Sequence, residues 1–421
     1  MIECWYAYSI LLLLSPMMNT LSFQMGQLYV DQKLYPTAEK YCEQGLRIFQ
    51  INVEVNQLDI ATCLHKLGVI KEALLDDESA IECYLQSIHI FKSNGGFENN
   101  ITMACSLHNA GSVYLRGKKI TTALEFMTEA FHTKTASLGA RHFETAASQH
   151  YLGIIYMELE DTETALCNLR DALNVRVECF GTEHLSVAGT MYCLGQTHYL
   201  RDEFKEAIDC FVENLRVLRK LGCGDEEVSK AQLLIGSSYQ EVGSFDVAIG
   251  HLVEALRIMV SLHSENHLDV AQALFRLGIC FCEINQYSES LKKFNECLDI
   301  RTSLMGNLHI ECANTYESIG IVQQKMDCHE EAIHSFERAL AIKRTSLDDD
   351  DGDVCILLHF IGSSLFSLKR YGEAIVYFFD AAERKKNLRG RTDEEYVMSV
   401  IDLAAAYAKT GDEHHAMEVR L

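Results

Sequence analysis

Four histidines, His65, His108, His150 and His359, occupy equivalent places in a chain that repeats itself every 41 to 43 residues. Imidazole rings held in register could ligate a metal, relay protons or gain charge near neutral pH. Shared metal ligation fails on distance. Equivalent positions on neighbouring helix pairs lie of order 10 Å apart, whereas zinc needs its ligands at about 2 Å. The rings are therefore expected to line a surface, and acidic ligands to bind it more tightly below about pH 6.5 as the rings charge.

Other chemistry-bearing motifs fail on spacing. His329-Glu330-Glu331-Ala332-Ile333-His334 approaches a zinc-protease helix, but its histidines stand five apart where a shared face needs four. Asp348 to Asp351 with Gly352 and Asp353 suggest calcium, yet Leu347 and Leu358 fall where a calcium loop requires acids. Gly222-Cys223-Gly224 follows no strand and makes no phosphate cradle. The 16 cysteines include no C-x-x-C pair, and Cys63, Cys105, Cys193 and Cys210 occupy apolar helical positions. Reduced, buried thiols in a reducing, cytoplasmic compartment are the expectation. No catalytic residue, metal or cofactor is expected, and the chain reads as a non-enzyme.

The elements that carry these residues follow from periodicity. Glycines fall at Gly26, Gly68, Gly111, Gly153, Gly195, Gly236, Gly278, Gly320 and Gly362, and Ala404 fills the tenth slot. Twelve residues after each slot stands alanine (Ala38, Ala80, Ala123, Ala165, Ala207, Ala248, Ala332, Ala374, Ala416), replaced once by Ser290. Small residues at fixed spacing let two helices approach to the 8–10 Å of close packing. Apolar residues around the glycines recur at helical spacing, and an aromatic often follows the alanine by four. Turns are expected at Asp202, Gly243, Asn285, Asp327 and Gly411, seven after the slot. Left-handed caps are expected at Gly96, Gly139, Gly181, Gly306 and Gly390, 28 after it. With only 2 prolines in 421 residues, helix is rarely interrupted.

A net charge of −23 argues against nucleic-acid and anionic-membrane partners, because both need clustered Lys and Arg. Residues 1–18 form an apolar N-terminal segment, read as a helix or partial repeat. A secretory signal or anchor is the alternative, opposed by Glu3 ahead of the apolar run and Pro16 after it.

The slots filled by Gly153, Tyr156, Ala165 and Ala172, and again by Gly236, Tyr239, Ala248 and Ala255, resemble the tetratricopeptide repeat. The segment from Ala172-Leu173-Asn174-Val175-Arg176 to Gly181-Thr182-Glu183-His184 resembles the longer kinesin light chain type of unit, although no heptad coiled coil precedes the repeats. The resemblance implies an all-α, right-handed solenoid of about ten hairpins, continuous over 19–421 with the last incomplete. It also implies a concave groove lined by the stripe three before and one after each slot. That stripe includes His65, His108, Ser112, His150, Ile154, Tyr192, Gln196, Leu233, Ser237, Phe275, His359 and Ser363. It lacks the Lys and Asn pattern that clamps chaperone C-termini. A scaffold or adaptor that holds a peptide or helix of a protein partner is the expected function. A motor cargo adaptor and the regulatory array of a larger signalling enzyme are the alternatives.

Overall fold

The computed structural model describes residues 32–50, 53–94, 101–346, 352–389 and 394–418. These residues form 19 helices and no strand. The apolar 1–18 segment, Gly26, Gly96 and Gly390 lie outside the described residues. The chain divides into two compact units, Met1–Val217 and Leu218–Leu421.

In the first unit, α1 (Tyr35–Phe49) is the second helix of its repeat. It is followed by α2 (Val53–Ala73) with α3 (Asp77–Ser93), α4 (Ile101–Arg116) with α5 (Ile120–Leu138), and α6 (Phe143–Glu158) with α7 (Thr162–Phe180). Helix α8 (Leu185–Leu200) precedes α9 (Phe204–Leu221), whose last turn crosses into the second unit. The second unit pairs α10 (Asp225–Glu241) with α11 (Phe245–His263), α12 (Leu268–Glu283) with α13 (Tyr287–Met305), and α14 (Ile310–Lys325) with α15 (His329–Ser346). It ends with α16 (Gly352–Ser367) and α17 (Tyr371–Arg389), then α18 (Glu394–Thr410) and α19 (Glu413–Glu418). This is the all-α solenoid class expected from the repeat.

What fixes each hairpin is the contact made at the glycine slot. A Cβ added at Gly195 would lie 2.6 Å from the Phe211 ring, and at Gly320 it would lie 2.5 Å from Phe336. Gly68 meets Tyr84, Gly278 meets Phe294 and Gly362 meets Phe378 in the same way. Where the aromatic is absent, Leu169 and Leu252 lean on Gly153 and Gly236. The glycine's partner is thus the large side chain sixteen residues later. The alanine at twelve admits the helix backbone, with the carbonyl of Ala248 3.2 Å from a Cβ at Gly236. Tyr84, Phe211, Phe294, Phe336 and Phe378 are consequently almost fully buried.

The turns obey the register more strictly than their residue types suggest. Every seventh residue after a described slot has positive φ, including the non-glycines Leu75, Lys118, Glu160 and Lys369 at 57–64°. The amide of the next residue then bonds back to the helix, as Asp161 N–H does to the Tyr156 carbonyl at 3.0 Å. The second stop differs from a left-handed cap. Gly139, Gly181 and Gly306 combine φ of 76–89° with ψ of 158–175°, a region open almost only to glycine. Ser264 holds the same conformation at φ 83° and ψ 169°. Each following first helix begins on a histidine. The Nδ1 atoms of His142, His184, His267 and His309 accept the amides of Glu144, Ser186, Asp269 and Glu311 at 3.1–3.2 Å.

Cys63, Cys193, Cys280 and five other cysteines are buried, and burial pushes the Cys63 and Cys280 thiols up to about 12. Cys167 and Cys179 are exposed, against the expectation of burial. No described helix is long and apolar enough to cross a membrane.

Two sets of substitutions test this account. Gly195→Ala should lower the melting temperature, because displacing Phe211 costs about 1–3 kcal/mol. Gly189→Ala, on the same helix with nothing within 4 Å of the new Cβ, should raise stability by up to about 1 kcal/mol. Equal effects at both sites would refute the contact. Ser264→Gly should stabilise the chain by about 1 kcal/mol through release of backbone strain, and a denaturant melt with an unchanged midpoint would count against it.

Candidate partner-binding surface

In the first unit the stripe residues lie on the first helices α2, α4, α6 and α8, and neighbouring members of this series touch. The stripe is tighter than an open wall. His150 and Ser112 are buried; His65, His108, Ile154, Tyr192 and Gln196 are half-buried. The His65 and His108 rings reach across repeats, placing Nδ1 2.9 Å from Ser106 Oγ and 3.0 Å from Ser148 Oγ. Ser106 donates to the Thr102 carbonyl at 3.0 Å. With that proton on Thr102, the Ser106 oxygen accepts from His65 Nδ1–H, the tautomer that leaves Nε2 as an acceptor. His108 stands edge-on to Tyr151, with ring centroids 5.0 Å apart, and Tyr192 stands on Phe211 at 6.0 Å.

In the second unit Leu233 and Ser237 are buried, while Phe275, His359 and Ser363 are half-buried. Ser237 spends its hydroxyl on the Leu233 carbonyl of its own helix, at 2.8 Å. Phe275 packs edge-on to Phe294 and lies under Arg301, 4.7 Å from its ring centre. His359 places Nδ1 3.3 Å from Ser399 Oγ and Nε2 3.3 Å from an Asp402 carboxylate oxygen.

The stripe also borders a set of cations that no sequence motif flagged. Lys134, Arg176, Arg301, Lys343 and Lys385 each stand 23 residues after a slot, on second helices, and each is at most 8% exposed. Four of them meet a carboxylate nine residues before the next slot. Lys134 pairs with Glu144 at 2.8 Å, Arg301 with Glu311 at 2.7 Å, Lys343 with Asp353 at 2.8 Å and Lys385 with Glu395 at 3.7 Å. Arg176 meets Ser186 at that position instead. Its Nη1 donates to the Ser186 carbonyl at 2.9 Å and to Thr190 Oγ1 at 2.6 Å, and no described carboxylate pairs with it. Burial pulls its pKa down without discharging it. Thr190 is engaged by Arg176 and by the Ser186 carbonyl, and the buried Nδ1 of His150 has no partner among the described residues. The signal in the sequence was Ser186 where the other repeats that follow a buried cation carry Asp or Glu.

The histidine electrostatics overturn the expectation that these rings charge below about pH 6.5. Burial, with Lys66 and Lys134 nearby, lowers His65 to about 4. Burial and the neighbouring cations lower His108 and His150 to about 3. Burial also lowers His359. The folded values lie below the unfolded one, so the unfolded chain takes up these protons first as pH falls. The stability due to the neutral rings is complete above about pH 6.5 and is lost progressively down to about pH 4 to 3. At pH 5 the loss amounts to up to about 2 kcal/mol per ring. The melting temperature should therefore fall between pH 7.5 and 5.0, and His108→Gln should flatten that fall. An equal pH slope in the variant would show that the ring is not the proton acceptor.

Comparison with known proteins places the chain by its fold. The family model described as tetratricopeptide repeat matches residues 16–93, 102–178, 227–303, 286–345 and 311–386. No curated protein matches in sequence. The quorum sensor NprR from B. thuringiensis is similar in structure, at 13% identity over 83% of this chain and 97% of its own, with a TM-score of 0.59. A signal transduction ATPase with a tetratricopeptide repeat sensor, from Pyrococcus horikoshii, is similar at 14% identity and a TM-score of 0.59 over 86% of this chain. This chain spans 55% of that protein's length. BtubC (BKLC) from P. vanneervenii gives 17% identity and a TM-score of 0.48, covering 55% of this chain and 92% of its own. With family matches over most of its length and a slot register shared by every described hairpin, the chain belongs to the tetratricopeptide repeat family.

Proposed function

We propose that the chain is a protein-interaction scaffold whose first-helix stripe in the first unit holds an acidic peptide segment of a protein partner. The observation that carries this reading is Arg176. A guanidinium at 8% exposure with no carboxylate is costly to bury, because desolvation of a charge is offset only by an opposite charge and full hydrogen bonding. The other four buried cations meet that condition within the chain. Arg176 is left to meet it with a group from outside, and a side-chain carboxylate of a peptide supplies it. Arginine suits this task through its planar fork of donors.

The surroundings fit a peptide rather than a small anion. Tyr151, near enough to Arg176 to interact with its charge, and Tyr192 and Ile154 of the adjoining stripe give half-buried apolar surface, and Gln196 can exchange hydrogen bonds with an extended backbone. His65 offers Nε2 as a further acceptor for a backbone N–H. The neutral rings make this surface insensitive to pH near neutrality, so affinity for acidic peptides stays level between pH 7.5 and 6. No group here is arranged as nucleophile and base, and the reading is non-catalytic.

Selection of random peptides on the purified chain tests the proposal. The selected sequences should share an Asp or Glu next to apolar residues. Ser186→Glu supplies inside the chain the carboxylate found at Glu144 and Glu311, and should weaken those peptides by about tenfold or more while leaving the fold intact. Peptides without an acidic residue, or affinity untouched by Ser186→Glu, would sink the reading.

A further inference from the structure

In the second unit, a half-open cavity of about 630 Å³ lies between the second helices α11 and α13, over the start of α12. Its floor is apolar, made by Leu256 and Val260 of α11, Leu274 of α12 and Ile300 of α13. Its rim carries the carboxylates of Glu265, Glu296 and Asp299, and no Lys or Arg lines it. Glu296 is shared with Lys293 of its own helix at 2.9 Å. Glu265 and Asp299 have no cation partner among the described residues.

Equivalent clefts in the same chain show what this one lacks. Between α3 and α5, Lys92 reaches Glu129 at 2.6 Å; between α15 and α17, Arg344 reaches Asp380 at 4.0 Å. Those cations stand 24 residues after their slots and those acids 18 after theirs. The same two places here hold Val260 and Glu296: the acid is kept and the cation is replaced. Two other clefts are bridged from the loop. Arg141 meets Glu178 at 3.5 Å, and Glu183 meets Arg216 at 3.7 Å. The matching loop residue here is Asn266, which accepts a hydrogen bond from Ser303 at 2.9 Å, while Asp299 takes the place of Arg216. Ser264, in its strained conformation, precedes Glu265 and Asn266 and sets them on the rim.

We infer that this cleft is a second docking site, on the second-helix face, for an arginine-bearing amphipathic peptide of a protein partner. The arginine replaces in trans the cation that the four bridged clefts carry in cis, and its apolar neighbours cover Val260, Leu274 and Ile300. Exposed ion pairs alone contribute little, so the apolar floor supplies much of the affinity and the carboxylates supply selection by charge. The site shares no residue with the surface around Arg176.

Fluorescence anisotropy with a labelled peptide of alternating leucine and arginine tests the inference, with the same peptide carrying glutamate for arginine as control. The wild-type chain should bind the arginine peptide saturably and the glutamate peptide at least tenfold more weakly. Val260→Arg, which rebuilds the internal pair with Glu296, should cut binding by about tenfold. The double variant Glu265→Gln, Asp299→Asn does the same without adding bulk, and both should melt as the wild type does. Ser186→Glu should leave this binding unchanged, which separates the site from the acidic-peptide surface. Binding that survives both cleft variants, or that fails to distinguish the two peptides, would overturn the inference.

Discussion

The hairpins of this chain hang on the absence of a side chain at one position, held by glycine in every described slot but Ala404. Two helices lie close enough to bury a phenylalanine between them only because the facing residue has no Cβ, and the ring then occupies the vacated volume. Gly195 and Phe211 show the fit most directly, with 2.6 Å between the ring and where a methyl would be. The ring fixes the crossing, the crossing fixes the seven-residue reach to the turn, and the turn adopts positive φ whether it holds Gly243 or Leu75. A local steric constraint thereby sets the positions from which every stripe and cleft residue projects. Leu75 and Lys118 accept an unfavourable backbone because the packing on either side leaves no other path.

Much of the hairpin register was legible in the sequence because its physics is local and repeated. The glycine and alanine series marked helix pairs, and Asp202, Asn285 and Asp327 marked turns by residue type. The character of the stripe was misjudged. His108 and His150 stand on the expected stripe, yet they are wedged against the next repeat, where burial keeps them neutral. Exposure depends on how closely hairpins stack, which a single helix's pattern does not encode. The buried cations escaped notice for a related reason. Lys134 and Arg301 read as ordinary surface residues near helix ends, and their partners Glu144 and Glu311 lie in the next repeat, across a turn. The histidines that begin first helices read as a family feature, while their cap role rests on an Nδ1 geometry invisible to spacing.

A repeat protein carries its own set of controls. Positions equivalent by register face the same neighbours, so a residue that departs from its counterparts isolates one chemical change against a constant background. Ser186, where the other repeats with a buried cation carry an acid, and Val260, where the clefts holding Lys92 and Arg344 carry a cation, are such departures. They have opposite sense: one leaves a positive charge uncompensated between first and second helices, the other leaves negative charge on an apolar cleft. The first unit keeps one uncompensated buried cation, Arg176, within a largely acidic chain.

The carboxylate-to-cation link that joins four of the hairpins to the next also governs how the array comes apart. In repeat arrays each hairpin touches only its neighbours, so cooperativity is carried interface by interface. Lys134 with Glu144 couples α5 to α6 through a buried ion pair. Arg176 couples α7 to α8 through neutral acceptors alone. That junction lacks the charge pair that joins α5 to α6, so a block of hairpins can open there while its neighbour stays folded. Occupancy of Arg176 by an external carboxylate would stiffen that junction, so binding would be felt as a gain in the length of chain that unfolds together.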